Sequence, residues 1–168
     1  IGNDKERMPN KNWHKMQTRF LEDFRAAGFD PEKIDAVLCT HLHVDHVGWN
    51  TYWDGAAWKP TFPNARYLMA KSEFDYWESH EDDVTPHQVF LDSVAPVVEA
   101  GLVDLVETTH VVCPEVSLVP TLGHTPGHVS VRIQSQGEEA LITGDFLHHP
   151  CQMAHPEWAS AVDYDAEA

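Results

Sequence analysis

Thr40-His41-Leu42-His43-Val44-Asp45-His46-Val47-Gly48 packs three imidazoles and one carboxylate into six consecutive residues. His41 and His43 stand two apart, so an extended backbone projects them to one side. Asp45 and His46 are adjacent and can serve the same site only where the chain bends out of the strand. Just upstream, Ile34-Asp35-Ala36-Val37-Leu38-Cys39 reads as a short buried strand. The donors therefore sit at a strand's C-terminal end, where open sheets carry their sites. Imidazole nitrogen plus carboxylate oxygen, with no thiolate in the cluster, suits zinc, iron or manganese in a catalytic role. Any one of these residues alone reads better as a hydrogen-bonded histidine or a surface loop. Four donors at this spacing, directly after a buried strand, read as a metal site.

The run His41-x-His43-x-Asp45-His46 resembles the signature of the metallo-β-lactamase superfamily of binuclear metallohydrolases. Gly123-His124-Thr125-Pro126-Gly127-His128 resembles the family's second motif, and Thr143-Gly144-Asp145 the strand end that supplies a carboxylate between two metals. By motif the resemblance runs from Ile34 to His155. It implies an α/β fold, a four-layer αβ/βα sandwich, with residues 1–168 as a single domain. It also implies a fold incomplete at both ends. Ile1-Gly2-Asn3-Asp4 resembles the end of an early strand, and the family's late histidine ligand has no counterpart in His148, His149 or His155.

Carried over residue by residue, His41, His43 and His124 resemble the ligands of a first metal. Asp45 and His46 resemble ligands of a second, and Asp145 the bridge between them. Two divalent ions are implied, zinc ahead of manganese or iron, with the second held loosely for want of the late histidine. The implied reaction uses a metal-bound hydroxide to cleave an ester, lactone or phosphotriester bond. Asp45 would orient that hydroxide and carry the proton to the leaving group. His148 stands three residues after Asp145, where similar lactonases carry a tyrosine; it reads equally as an oxyanion donor or acid and as a surface histidine. His128 braces the loop, and His149 and His155 carry no role.

Composition narrows the partners. With 11 Lys and Arg against 27 Asp and Glu, the net charge is −16, and Arg132 is the only basic residue after Lys71. Such a surface repels phosphate backbones, so nucleic acid is not an expected partner, nor is an anionic thioester. No apolar run is long enough for a bilayer. Cys39, Cys113 and Cys151 are odd in number and lack metal-type spacing, which favours free thiols and a reducing, cytoplasmic setting. The expected partner is a small, largely apolar substrate. Uncovered sheet edges would favour self-association into a homo-oligomer. Two other classes stay open: a binding protein of the same fold that has lost catalysis, and an iron-dependent sulfur dioxygenase-like enzyme.

Along the chain, Trp13, Met16, Phe20, Leu21, Phe24 and Ala27 recur at helical spacing and predict a helix over 12–27, stopped by Gly28. Asp30-Pro31 starts a short helical turn. Residues 49–63 predict an irregular loop or hairpin whose Trp49, Tyr52, Trp53, Trp58 and Phe62 wall an apolar pocket beside the metal site. A strand over 65–70 and helices over 71–79 and 86–100 follow, with Glu81-Asp82-Asp83 as a solvated linker. Further strands are expected around 102–106, 110–113, 116–119, 129–133 and 140–143, the last two joined by a turn at Gly137 and Glu138.

Overall fold

The computed structural model describes residues 1–80 and 84–167; of the side chains at 84–86 nothing is said. The solvated-linker expectation at 81–83 lies outside the described residues. Elements in chain order are α1 (Phe20–Ala26), β1 (Ala36–Leu38), α2 (Val44–Val47), β2 (Thr51–Trp53), β3 (Trp58–Pro60), β4 (Arg66–Ala70), α3 (Lys71–Ser79), α4 (Val84–Ser93) and α5 (Ala95–Glu99). Strands β5 (Val103–Val106), β6 (Val111–Cys113), β7 (Val116–Pro120), β8 (Val129–Ser135) and β9 (Glu138–Ile142) complete the series.

Two sheets carry the site between them. The first is parallel, in the order β1-β4-β5, with Val37 opposite Tyr67 and Leu68 opposite Asp104. Its central strand is buried from Tyr67 to Ala70, as expected of a parallel strand covered on both faces. Tyr67 and Met69 join the cluster that includes Phe74, Val89 and Val97 of the helices and Val94 between α4 and α5. Ala70, on the other face, joins Leu118, Val129 and Val131. Those three belong to the second sheet, antiparallel in the order β6-β7-β8-β9. Helices, parallel sheet and antiparallel sheet thus form three successive layers. Among the described residues the chain after β9 forms only a 3-10 turn at Pro150–Met153. No helix among them is long and apolar enough to cross a membrane.

Several local expectations need correction. The helix expected over 12–27 is confined to Phe20–Ala26, with no fully buried residue. Residues 10–18 instead fold back on the N-terminal segment: the Lys15 amide donates to the Lys5 carbonyl, and Thr18 bonds Asn3 through both backbone and hydroxyl. Lys15 takes a left-handed φ of 50°, which no helix interior allows. The single helix expected over 86–100 is two helices, α4 and α5, parted at Val94 just before the Ala95-Pro96 start. Pro96 cannot donate to the preceding turn, so it opens a new helix. Glu138, expected in a turn, opens β9, while Gln136 and Gly137 make the turn with φ of 52° and 85°.

Lys5 and Arg7 tie the N-terminal segment to the core. Both are buried and meet Asp92 of α4: Arg7 spans both carboxylate oxygens at 2.6 and 2.7 Å, and Lys5 Nζ lies 3.3 Å from one of them. Lys5 Nζ also sits 3.9 Å from the centroid of Trp58. The three cysteines are free: Cys39 buried, Cys113 exposed and Cys151 half-buried.

Candidate metal centre

The first donor loop grows out of β1. Past Leu38 the chain bends at Thr40, is extended at His43, with φ −68° and ψ 158°, and then turns into α2 with Asp45 and His46 on its one turn. That is the bend that adjacent donors require. His41 is fully buried, with Nδ1 3.1 Å from the Thr40 hydroxyl, so its Nε2 faces the other donors. The turn between β7 and β8 brings in His124, and the segment leaving β9 brings in Asp145.

These groups converge. His43 Nδ1 and His124 Nε2 lie 2.8 Å apart, so one must hold a proton for the other or both must share an ion. Asp145 Oδ2 faces three imidazoles, at 3.2 Å from His46 Nε2, 3.6 Å from His124 Nε2 and 3.9 Å from His41 Nε2. His124, His148 and Asp163 form one group within 4.8 Å, and the expected ligands form two further donor sets within that span: His41 with His43 and His124, and His41 with His46 and Asp145. His41 therefore stands in both sets. Asp45 is in neither; its half-exposed carboxylate comes within 3.8 Å of His46 Nε2 at the open side of the cluster.

The donors fit a metal ion. His41 Nε2 is buried yet has no hydrogen-bond partner among the described residues. A buried polar atom without a partner is costly, and here it points into a cluster of further donors. Burial, reinforced by the neighbouring histidines His46 and His43, pushes the His41 pKa far down. Burial and His124 lower that of His43 to about 4. Both rings are thus neutral near pH 7, with lone pairs free for an ion.

A second ring of groups holds the donors in place. His128 is fully buried and 4.9 Å, centroid to centroid, from His41. Its Nε2 accepts the Asp145 backbone N–H at 3.0 Å, which leaves the proton on Nδ1, 2.8 Å from the Thr121 hydroxyl. The bracing expected of His128 is therefore a direct grip on the backbone of Asp145. Asp163 accepts from His124 Nδ1 at 2.8 Å and lies 3.3 Å from His148 Nε2. Burial works to raise the Asp163 pKa, but hydrogen bonds from His124, the Ser160 amide and His148 outweigh it and hold the carboxyl below its usual range. Carboxylate–imidazole pairs of this kind orient metal-binding histidines. His148 thus lies beside the cluster, its ring 4.9 Å from that of His124, with Nε2 turned to Asp163. His149 instead caps the 3-10 turn through the Cys151 amide.

Sequence reasoning missed Asp163, Glu73 and Trp77. Asp163 sits in an acidic tail with no pattern to single it out. Glu73 carried a signal: it shares a helix face with Trp77 one turn later, next to inward-facing Phe74, and a carboxylate on such a face needs a reason. The aromatic loop behaves differently from its expectation. It does form a hairpin, but Trp49 stacks on Phe20 at 4.7 Å, Phe62 packs on Phe24 and Trp53 on Trp58. Those rings cover the domain's own surface. The ring against the donors is Trp77, edge-on to His43 at 5.2 Å. A cleft of about 300 Å³ beside His124 and Asp145 is lined by Leu122, Phe146 and Trp158 together with the polar Thr121, Gln152 and Asp163.

Comparison with known proteins places this geometry. The sequence profile described as the metallo-beta-lactamase superfamily matches residues 11–165. An N-acyl homoserine lactonase of Bacillus thuringiensis is 26% identical over 134 residues, 77% of this chain and 45% of the relative. The crystal structure of hydrolase AbOPH in the beta lactamase superfamily superposes with a TM-score of 0.74 at 28% identity, over 89% of this chain and 54% of the other. A probable metal-dependent hydrolase from Staphylococcus aureus, 24% identical, has the same fold with a TM-score of 0.81, over 99% of this chain and 58% of its own. The chain spans about half the length of these relatives.

Proposed function

The chain belongs to the metallo-beta-lactamase superfamily, and on that premise we propose that it is a metal-dependent hydrolase of small esters or lactones. The observation that carries this is the convergence of His41, His43, His46, His124 and Asp145 around the partnerless, buried His41 Nε2. His41, His43 and His124 would hold one divalent ion, and His41 or His46 with Asp145 a second; zinc suits the imidazole-rich set best. Such ions, when bound, polarise a substrate oxygen and acidify water.

The chain's own residues do the rest. Asp145, gripped at its backbone by His128, keeps one oxygen aimed at three imidazoles. Asp45 stands at the solvent side next to His46, placed to take a proton on Oδ2 and pass it on. Asp163 fixes the ring plane of His124 and accepts from His148 Nε2–H, which leaves His148 Nδ1 as an acceptor for a water or substrate hydroxyl proton. Leu122, Phe146 and Trp158 offer a place for an acyl or alkyl group in a cleft otherwise lined by polar groups such as Gln152 and Asp163. Lactones come first among substrates because the lactonase likeness covers most of the chain; phosphotriesters, the other bond class expected from the sequence, come second.

The test is hydrolysis of acyl lactones and aryl esters by the metal-free protein before and after zinc is restored. Turnover that appears only with metal, and falls in His43→Ala, is the expected result. A protein that binds metal tightly but hydrolyses neither class would overturn the hydrolase reading in favour of a binding protein. A single tightly held iron with thiol-dependent oxygen uptake would favour the dioxygenase.

A further inference from the structure

We propose that Glu73 is a positioning residue for the metal centre, a buried carboxylate that sets the spacing between the two loops that carry the donors. The inference rests on the metal-centre reading above. Glu73 lies on the first turn of α3 and is 1% exposed. Its Oε1 accepts the Leu42 backbone N–H at 2.9 Å and the Trp77 indole N–H at 2.6 Å; its Oε2 accepts the Gly127 backbone N–H at 3.0 Å.

The three donors are not scattered. Leu42 is the residue between His41 and His43. Gly127 lies in the turn that carries His124 and immediately precedes His128. Trp77 packs edge-on against His43. One side chain therefore holds the backbone of both donor loops and the ring that backs a third face of the cluster. The loops leave different sheets, one following β1 and the other joining β7 to β8, so their separation is a tertiary matter that neither sheet's register decides.

Why a carboxylate is used follows from what faces it. All three partners are N–H groups, which can only donate, and a carboxylate offers acceptor oxygens on both sides. Glutamine would have the same shape but would turn an NH2 toward one of the loop amides, donor against donor. Leucine would leave all three N–H groups unpaired. A buried charge costs several kcal/mol unless hydrogen bonds compensate it, and three N–H donors do so here. The approach is close enough to require glycine: a Cβ on Gly127 would lie 2.1 Å from the Glu73 nitrogen and 2.5 Å from its Cα. The His124 loop thus rests on the backbone of the turn that supplies its anchor.

The consequence is pre-organisation. With the loops held apart at a set distance, His43 and His124 meet without an ion having to order them. In Glu73→Gln one loop comes free, and the ordering must then be driven by metal binding. Zinc affinity should fall by at least about 10-fold, the lower range for losing a group that orients ligands.

The experiment uses the chain stripped of metal, titrated with zinc against a competing chelator, and with cobalt(II) to read ligand geometry from visible absorption. Glu73→Gln should bind zinc about 10-fold or more weakly and show an altered cobalt spectrum. Glu78→Gln, the same charge change at an exposed position of the same helix, should match wild type in both. Wild-type affinity and cobalt spectrum in a folded Glu73→Gln would overturn the proposal alone; a wild type that binds no zinc would overturn the metal-centre reading, and the proposal with it. If Glu73→Gln does not fold, amide hydrogen exchange on the metal-free wild type decides. Protection of both Leu42 and Gly127 supports the clamp, and fast exchange at both overturns it.

Discussion

His128 accepts the backbone N–H of Asp145 on Nε2, across 3.0 Å, while its Nδ1 is spent on Thr121. Both nitrogens of this motif histidine are therefore engaged, and neither is free for an ion. Its ring joins the β7–β8 turn to the segment that leaves β9, and so aligns the carboxylate with the imidazoles from two other places in the chain.

From this, His128→Ala should lower metal affinity by about 10–100-fold without abolishing binding, because it removes a support and not a donor. The set of His41, His46 and Asp145 should suffer more than that of His41, His43 and His124, since only the former includes the residue whose backbone is released. Stepwise calorimetric titration separates the two. Equal loss in both sets would contradict this role.

Asp163→Asn should weaken metal binding by about 10-fold, since His124 Nδ1 would then face a neutral, poorer acceptor. Asp165→Asn removes the same charge two residues on. Among the described residues the Asp165 side chain accepts only the Glu167 amide, so this change should leave affinity as it was. Matching losses in the two variants would assign the effect to net charge instead of orientation.

Much of this arrangement was legible before the fold. Six donors read from the sequence, His41, His43, Asp45, His46, His124 and Asp145, come from three separate stretches, and the fold brings five of them into two sets within 4.8 Å. Asp45 stays outside them because it occupies the outer side of the α2 turn. Strand positions were readable because β4 is an apolar run from Tyr67 to Ala70 and β8 alternates apolar with polar residues; the helix over 12–27 was not. Its periodic apolar residues suited a helix locally, but backbone pairing with Asp4 and Lys5, and the Asn3 side chain on the Thr18 amide, outcompeted that preference. Glu73 and Asp163 were out of reach for another reason. Their function depends on partners 31 and 39 residues away, contacts that only the tertiary fold creates.

The Lys5–Arg7–Asp92 cluster makes a pH-dependent prediction. Burial lowers the Lys5 pKa to about 8, against the opposing pull of Asp92. Between about pH 8 and the ordinary lysine value near 10.4, the unfolded chain keeps the proton and the folded chain has lost it. Stability from this group therefore rises with pH in that window, and below it Lys5 contributes no pH dependence. Urea unfolding of wild type and Lys5→Met should diverge in favour of wild type from pH 8 to 10. Arg7→Met strips the bidentate partner from buried Asp92 and should cost about 3 kcal/mol at pH 7. A parallel pH course for wild type and Lys5→Met would contradict the buried, charged lysine.

The central claim is that one buried histidine is common to both donor sets, and metal content tests it most directly. The metal-free chain and its His41→Ala variant are each equilibrated with zinc, passed through a desalting column and measured by mass spectrometry for zinc per chain. The account predicts zinc retained by wild type and little by His41→Ala, because either donor set is left with only two ligands once the His41 Nε2 is removed. Zinc retained by His41→Ala at the wild-type level would contradict it.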